Sequence, residues 1–312
     1  MSTRARDIVA GEDADKVAGS AAPPTAEIVQ GPVGAAPDFD PSDLIPDDSG
    51  QNWRRWFNSW TIRGVAVLIA VGLWHLVTEF DVNYIMNFEN VPEPALVFDR
   101  FLGHIVTVEF FIHVAVSVKR ILIGFGFAVV LGILVGLVMG RSRLAEDLLI
   151  PYIEVLRPIP AVAWIPLAIL MWPTEESSIV YITFLGAFFP IVLNTIHGAE
   201  QTPDVLVRAA ESLGASRVGI FWHVVIPAAL PSIAAGLAIG MGVSWFSLLA
   251  GEIISGQYGI GYFTWNAYSL IQYPDIVVGM LCIGALGTTS TYLVKLATKP
   301  LLRWQKTEMS GK

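Results

Sequence analysis

Residues 208–231 read RAAESLGASRVGIFWHVVIPAALP and lie between two long apolar runs. The stretch carries two arginines, a glutamate, a turn-forming glycine and two prolines, together with Phe221, Trp222, Val224, Val225 and Ile226. Just ahead of it, Thr202-Pro203-Asp204 is a helix start, with proline at an early position and Asp204 near the positive end of the dipole. Val205, Leu206, Ala209, Ala210 and Leu213 then fall on one side of a short helix, while Arg208, Glu211 and Ser212 are polar. Gly214 supplies the turn, VGIFWHVVIP follows as an amphipathic ramp suited to a membrane interface, and Pro227 opens the next apolar run. Taken alone, these residues fit two roles equally. One is an ordinary interfacial loop; the other is a helix whose alanine face sits in another protein's groove.

The rest of the chain places this stretch beside a membrane. Of 312 residues, 54% are hydrophobic and only 15% charged, with a mean hydropathy of +0.60. Soluble domains are nearer a quarter charged, so the composition is that of a polytopic membrane protein. Ten acidic and three basic groups lie in residues 1–50, which hold seven of the eight net negative charges. This Ala/Pro/Gly/Asp/Glu-rich segment has no periodicity, so residues 1–52 are expected to form a disordered, solvated tail. It lacks the basic start and short apolar core of a secretory signal. Cys282 is the single cysteine and lies in a late apolar run, so no intrachain disulfide can form.

A bilayer core asks for about 20 apolar residues per helix. Six segments qualify, at 62–80, 117–139, 148–172, 177–197, 228–251 and 275–296, making an all-α, six-span domain over 53–306 with a short tail at 307–312. The third span is punctuated by Pro151, Pro158, Pro160 and Pro166, which free backbone groups that protein or a pathway must satisfy. Basic flanks at Arg54, Arg55, Arg63, Arg141, Arg143, Arg208, Arg217, Lys295, Lys299, Arg303 and Lys306 put both termini and the loop at 199–226 in the cytoplasm. The loops at 173–176 and 252–274 contain no Lys or Arg. Arg100, Lys119 and Arg120 are exceptions near the outer end of the second span, where they would snorkel or pair with Glu109. Gly124, Gly132, Gly136 and Gly140 form a small-residue stripe for close helix packing.

With that topology the opening stretch faces the cytoplasm, and it resembles the EAA loop of bacterial ABC importer permeases. That signature is Glu-Ala-Ala, three residues, Gly, nine residues, a branched apolar residue, any residue, Leu, Pro. Here it reads Arg208-Ala209-Ala210, Gly214, Val224, Ile226 and Pro227. Arginine replaces the first glutamate, so the salt contact assigned there does not transfer, and Glu211, one turn on, is the candidate substitute. Over residues 60–305 the segments VLRPIPAVAWIPLAILMW, FFPIVLNTIHG, VVIPAALPSIAAGL and GEIISGQYGIGYFTWNAY are similar to the nitrate, sulfonate, taurine and bicarbonate branch. The resemblance implies a path for a small anion, nitrate or bicarbonate first and sulfonate or taurine second. It also implies alternating access driven by cytoplasmic ABC ATPases through Arg208, Ala209, Ala210, Glu211, Leu213, Gly214, Val224, Ile226 and Pro227. A periplasmic or extracellular binding protein would deliver the substrate, and a second copy of the chain would complete a homodimer in the lipid of the bacterial inner membrane.

Competing roles are thinner. No Gly-x4-Gly-Lys-Ser/Thr occurs, so ATP and Mg belong to the partner and this chain is expected to hold no cofactor. His75, His104, His113, His197 and His223 share no ligand spacing and read as loop or interfacial residues rather than a metal site. No nucleophile–base constellation gives enzymatic chemistry a foothold, and no nucleic-acid partner is expected. Glu154 and Arg157, three apart, are pathway candidates that read as a self-neutralising helical pair in preference to a substrate contact. Glu252 would order the outer loop rather than touch an anion it repels. Trp164, Trp245, Phe246, Trp265 and Asn266 line a path or anchor helices, with anchoring favoured. A channel or secondary transporter working without ATPases is the rival class; it would call for matched broken helices, and no repeat is visible.

Overall fold

The computed structural model describes residues 49–80 and 90–305. Most of the tail read at 1–52, and all of 307–312, lie outside the described residues. Contacts divide the chain into a unit of residues 1–63 and a unit of residues 64–312. Of the first, the structure describes the start of helix α1 (Ser49–Glu79), which begins inside the stretch expected to be tail; there the Arg63 guanidinium stands 5.3 Å from the Trp60 ring centroid.

In the second unit every described element is helical. α2 (Pro94–Ile105) precedes α3 (Val108–Met139), α4 (Arg143–Leu156), a 3-10 turn (Ala161–Trp164), α5 (Ile165–Met171) and α6 (Glu175–Glu200). Then come α7 (Asp204–Ser212), α8 (Arg217–Ile220), a π-helical turn (Phe221–Val225), α9 (Ile226–Ser255), α10 (Ile260–Ser269) and α11 (Tyr273–Thr298). Five stretches are long and apolar enough to cross a membrane: Trp60–Glu79, Val108–Met139, Glu175–Glu200, Arg217–Ile254 and Tyr273–Leu302. A further pair, α4 with the 3-10 turn and α5, is apolar enough only when taken together and is bent by 89° at its break, the geometry of a broken span or a re-entrant loop.

Three expectations need correction. The third span is not continuous over 148–172, because Pro158 and Pro160, one residue apart, each lack an N–H donor and the helix stops at Leu156. The second span starts at Val108, not near 117, so Lys119 and Arg120 lie inside a helix. The ramp is not separate from the fifth span: helix runs from Arg217 into α9. Just before Pro227, which has no N–H, the Ile226 N–H reaches back five residues to the Phe221 carbonyl. The longer step adjusts the ladder where proline removes a donor.

α6 is the centre of the bundle, flanked by α3 and α9. The glycine stripe of α3 meets it directly: a Cβ at Gly124 would fall 2.8 Å from Thr183 Cβ, at Gly136 2.5 Å from Thr195 Cβ, and at Gly140 2.6 Å from Ala199 Cβ. On the other side, Gly198 of α6 approaches Ser232 and Gly236 of α9 approaches Asn194 equally closely. Side chains of hydrogen size let the backbones approach, and the resulting van der Waals contact holds helices that lipid would otherwise solvate as well. Ile179, Ala187, Ile191, Val192 and Leu248 fill the seams. α2 is amphipathic and not among the expected spans; it packs Val97 against Phe110, Ile260 and Val278.

Candidate functional site

Gly214 ends α7 as the sequence requires. Its φ of +79° is left-handed, and the Gly214 and Ala215 N–H groups donate to the Glu211 and Ala210 carbonyls at 2.9 and 3.0 Å. This is the two-bond cap that favours glycine. α7 has two apolar faces. Val207 and Ala210 pack inward on Leu137, Ala199, Ile220, Val225, Ala229 and Ile233. Val205, Leu206 and Leu213 face outward at 76%, 51% and 88% exposure, with Ala209 exposed beside them. The single apolar side expected from sequence is therefore split, and Ala210 belongs to the chain's own packing. Val224 and Ile226 also pack inward and Pro227 opens α9, so the second half of the motif supports α7 from behind. Arg208 and Glu211 are exposed.

At the opposite end of α6 and α9 lies a polar cluster that sequence reasoning did not assemble. Arg120 is 2% exposed and Glu252 fully buried. Arg120 Nη1 donates to Glu252 Oε1 at 2.9 Å, and its Nε donates to Glu176 Oε2 at 3.0 Å, with Nη2 completing the fork on Glu176. Arg120 neither snorkels nor pairs with Glu109, the two fates the sequence offered. Ser117 Oγ donates to Glu252 Oε1 at 2.8 Å. Three consecutive N–H groups opening α10 are taken up by the same cluster: Gly259 donates to His113 Nδ1 at 3.0 Å, Ile260 to Ser117 Oγ at 2.9 Å, and Gly261 to Glu252 Oε2 at 2.9 Å. Helix-opening N–H groups have no intrahelical acceptor, so side chains of α3 and α9 supply them. Glu252 thus holds the loop before α10. His113 is buried on α3, and His104 on α2 lies 3.1 Å from Asp275 of α11; neither lies in a loop. Among the described residues no group of three His, Cys, Asp or Glu could hold a metal.

The remaining pathway candidates separate. Trp245 is buried and donates through Nε1 to Ser290 Oγ at 2.7 Å, an anchor between α9 and α11. Asn266 lines a cavity of about 620 Å³ with His104, Glu109, His113, Gln257 and Tyr262. Glu154 is exposed on α4 and makes no ion pair with Arg157 among the described residues. Arg157 and Trp164 instead meet at a second cavity of about 470 Å³, bounded also by Phe189, Asn194, Phe246 and Ser247. Arg157 was singled out by its spacing from Glu154, and Trp164 and Phe246 as aromatics that line a path or anchor helices; Ser247 and Asn194 carried no signal, because only the α6–α9 crossing brings them there.

Comparison with known proteins identifies the family. The family model described as "Binding-protein-dependent transport system inner membrane component" matches residues 128–304. The nitrate import permease NrtB of Synechocystis sp. is 32% identical over 233 residues, covering 72% of this chain and 82% of its own length. The taurine transport system permease TauC of Escherichia coli is 35% identical over 191 residues, covering 61% and 68%. A permease protein of the same bacterium named for aliphatic sulfonates transport, SsuC, is 36% identical over 248 residues, covering 78% and 93%.

Proposed function

Because the chain belongs to the binding-protein-dependent transport system inner membrane components, and is a multi-pass ABC importer permease, we propose that it forms the path for a small oxyanion and transmits the work of a separate ATPase through α7. The family supplies the outline: a transport subunit, an ATPase and a substrate-binding partner. The finer reading is that ATP and Mg are held by the ATPase, and that two copies of this chain face each other in a bacterial inner membrane. Both termini and α7 then lie in the cytoplasm, as the basic flanks favour.

The outer face of α7 carries this reading. Three large apolar side chains are exposed on a nine-residue helix, anchored from behind by Val207 and Ala210 and capped by Gly214. A clustered apolar face held rigidly from its back is built for a protein groove. Nitrate or bicarbonate is the first substrate choice; the likeness to TauC and SsuC supports a sulfonate as the second.

The test compares neighbouring alanines in vesicles reconstituted with the ATPase and binding protein. Ala209→Trp adds bulk to the outer face and is expected to abolish substrate-stimulated ATP hydrolysis and uptake while membrane insertion stays normal. Ala210→Trp pushes into the packed inner face and is expected to reduce folded yield. Coupled uptake at the wild-type rate in Ala209→Trp would leave α7 a connector and remove the proposed ATPase contact.

A further inference from the structure

Residues 158–160 form the break between the two arms of the bent pair. Irregular backbone at membrane depth is tolerated where protein buries it or where it lines a cavity open to water. Here Arg157 and Pro160 line the 470 Å³ cavity, whose other walls are the middle of α6, at Gly186 and Phe189, and the second half of α9, at Val243 and Ser247.

Two polar atoms of the lining residues are buried without a hydrogen-bond partner: Trp164 Nε1 and Ser247 Oγ. Ser247 is 1% exposed, and it lies against Gly186, where a Cβ would fall 2.3 Å from its hydroxyl oxygen. An indole N–H can only donate, and a hydroxyl can donate. Buried donors without partners are uncommon in native proteins and call for an explanation. Arg157 adds a guanidinium at the same cavity, and no Asp or Glu lines it. Three donor-bearing residues, Arg157, Trp164 and Ser247, therefore line a space whose other walls are mainly apolar apart from Asn194, the usual make-up of a small-ligand site.

We propose that this cavity is an oxyanion site built into the permease itself, so that selection takes place within the membrane as well as at the binding protein. Arg157 supplies the charge. Trp164 Nε1–H and Ser247 Oγ–H replace two water donors around the ligand, and Phe189 and Phe246 limit its hydration. The ligand class is a small oxyanion head: nitrate, bicarbonate or a sulfonate. The inference rests on the proposed function for its substrate class, but it involves none of the residues of α7.

Equilibrium binding of isotopically labelled nitrate, bicarbonate and taurine to the full chain in lipid nanodiscs tests it, with sodium chloride as competitor. At least one of the three is expected to bind and to resist displacement by chloride. Trp164→Phe keeps the aromatic bulk and Ser247→Ala keeps the Cβ; each is expected to weaken that binding on the order of tenfold, the usual cost of a lost hydrogen bond to a charged group. Arg157→Gln is expected to weaken it further, with Arg157→Lys recovering part. No oxyanion held in preference to chloride, or binding unchanged across Trp164→Phe, Ser247→Ala and Arg157→Gln, would overturn the site. Failure of the importer reading is read separately, from the Ala209→Trp coupling assay, because that substitution leaves this cavity untouched.

Discussion

The start of α10 and the outer face of α7 lie at opposite ends of α6 and α9 and handle their difficult groups in opposite ways. At α10 the difficult groups are polar: a buried carboxylate, a buried guanidinium and the opening N–H groups of a helix. Each finds its partner inside the chain, through Arg120, Ser117, His113 and Glu252. At α7 the difficult groups are apolar, and Val205, Leu206 and Leu213 find none. A buried charge without a partner costs several kcal/mol and cannot wait for another protein. Exposed apolar side chains cost far less, and that surface is recovered when a partner arrives. One end is completed in folding; the other is the end proposed above for assembly.

The largest expected effect breaks the α10 end. Arg120→Met would leave Glu252 buried and uncompensated, costing about 3–5 kcal/mol, seen as a lowered thermal midpoint and loss of folded permease in detergent. The double variant Arg120→Met/Glu252→Gln removes both charges and is expected to recover most of that loss. A single variant as stable as wild type would show that the cluster carries no structural load.

Next is Gly259→Ala. The glycine has φ +123°, and a Cβ there would stand 2.3 Å from the Glu252 carboxylate. Strain of about 1–3 kcal/mol is expected, with faster amide exchange over the first turn of α10. Exchange at the wild-type rate would mean that the turn relaxes without loss.

Gly214→Ala sharpens the contrast, because the left-handed φ is present there but the space around it is open. A cost of about 1 kcal/mol is expected, confined to faster exchange in α7. The smallest effect on stability belongs to Leu213→Ser. At 88% exposure, its thermal midpoint should correspond to a change within about 0.5 kcal/mol. The same substitution is nevertheless expected to weaken retention of the ATPase during purification. A stability loss there matching that of Arg120→Met would erase the distinction between the two ends.

Much of this was legible along the chain because it depends on neighbours in sequence. Apolar runs of bilayer length, Gly214 closing α7, Pro203 preceding its first residue and Pro227 opening α9 are local matters of hydropathy, φ and missing N–H groups. The glycine stripe of α3 was legible as a packing face, although the residues it meets on α6 were not. For Arg120 the sequence offered snorkelling or a pair with Glu109 on the same segment, and the structure uses neither. Glu176 and Glu252 stand 56 and 132 residues further along and come within reach only when α6 and α9 pack.

The sequence by itself determined an all-helical membrane chain, its family, the presence of a short capped helix between two spans and the positions where proline interrupts the third crossing. Tertiary structure alone decided which side of α7 is spent on the chain's own core, so that Ala210 turns inward while Ala209 stays free. It also decided that Arg120 neutralises Glu252, and that Arg157 and Trp164 share a cavity with Ser247. The division has a physical cause. Hydropathy, capping and proline effects act within a few residues, whereas hydrogen-bond pairing and cavity walls depend on which helix faces which, and that is set by the summed packing of α3, α6 and α9.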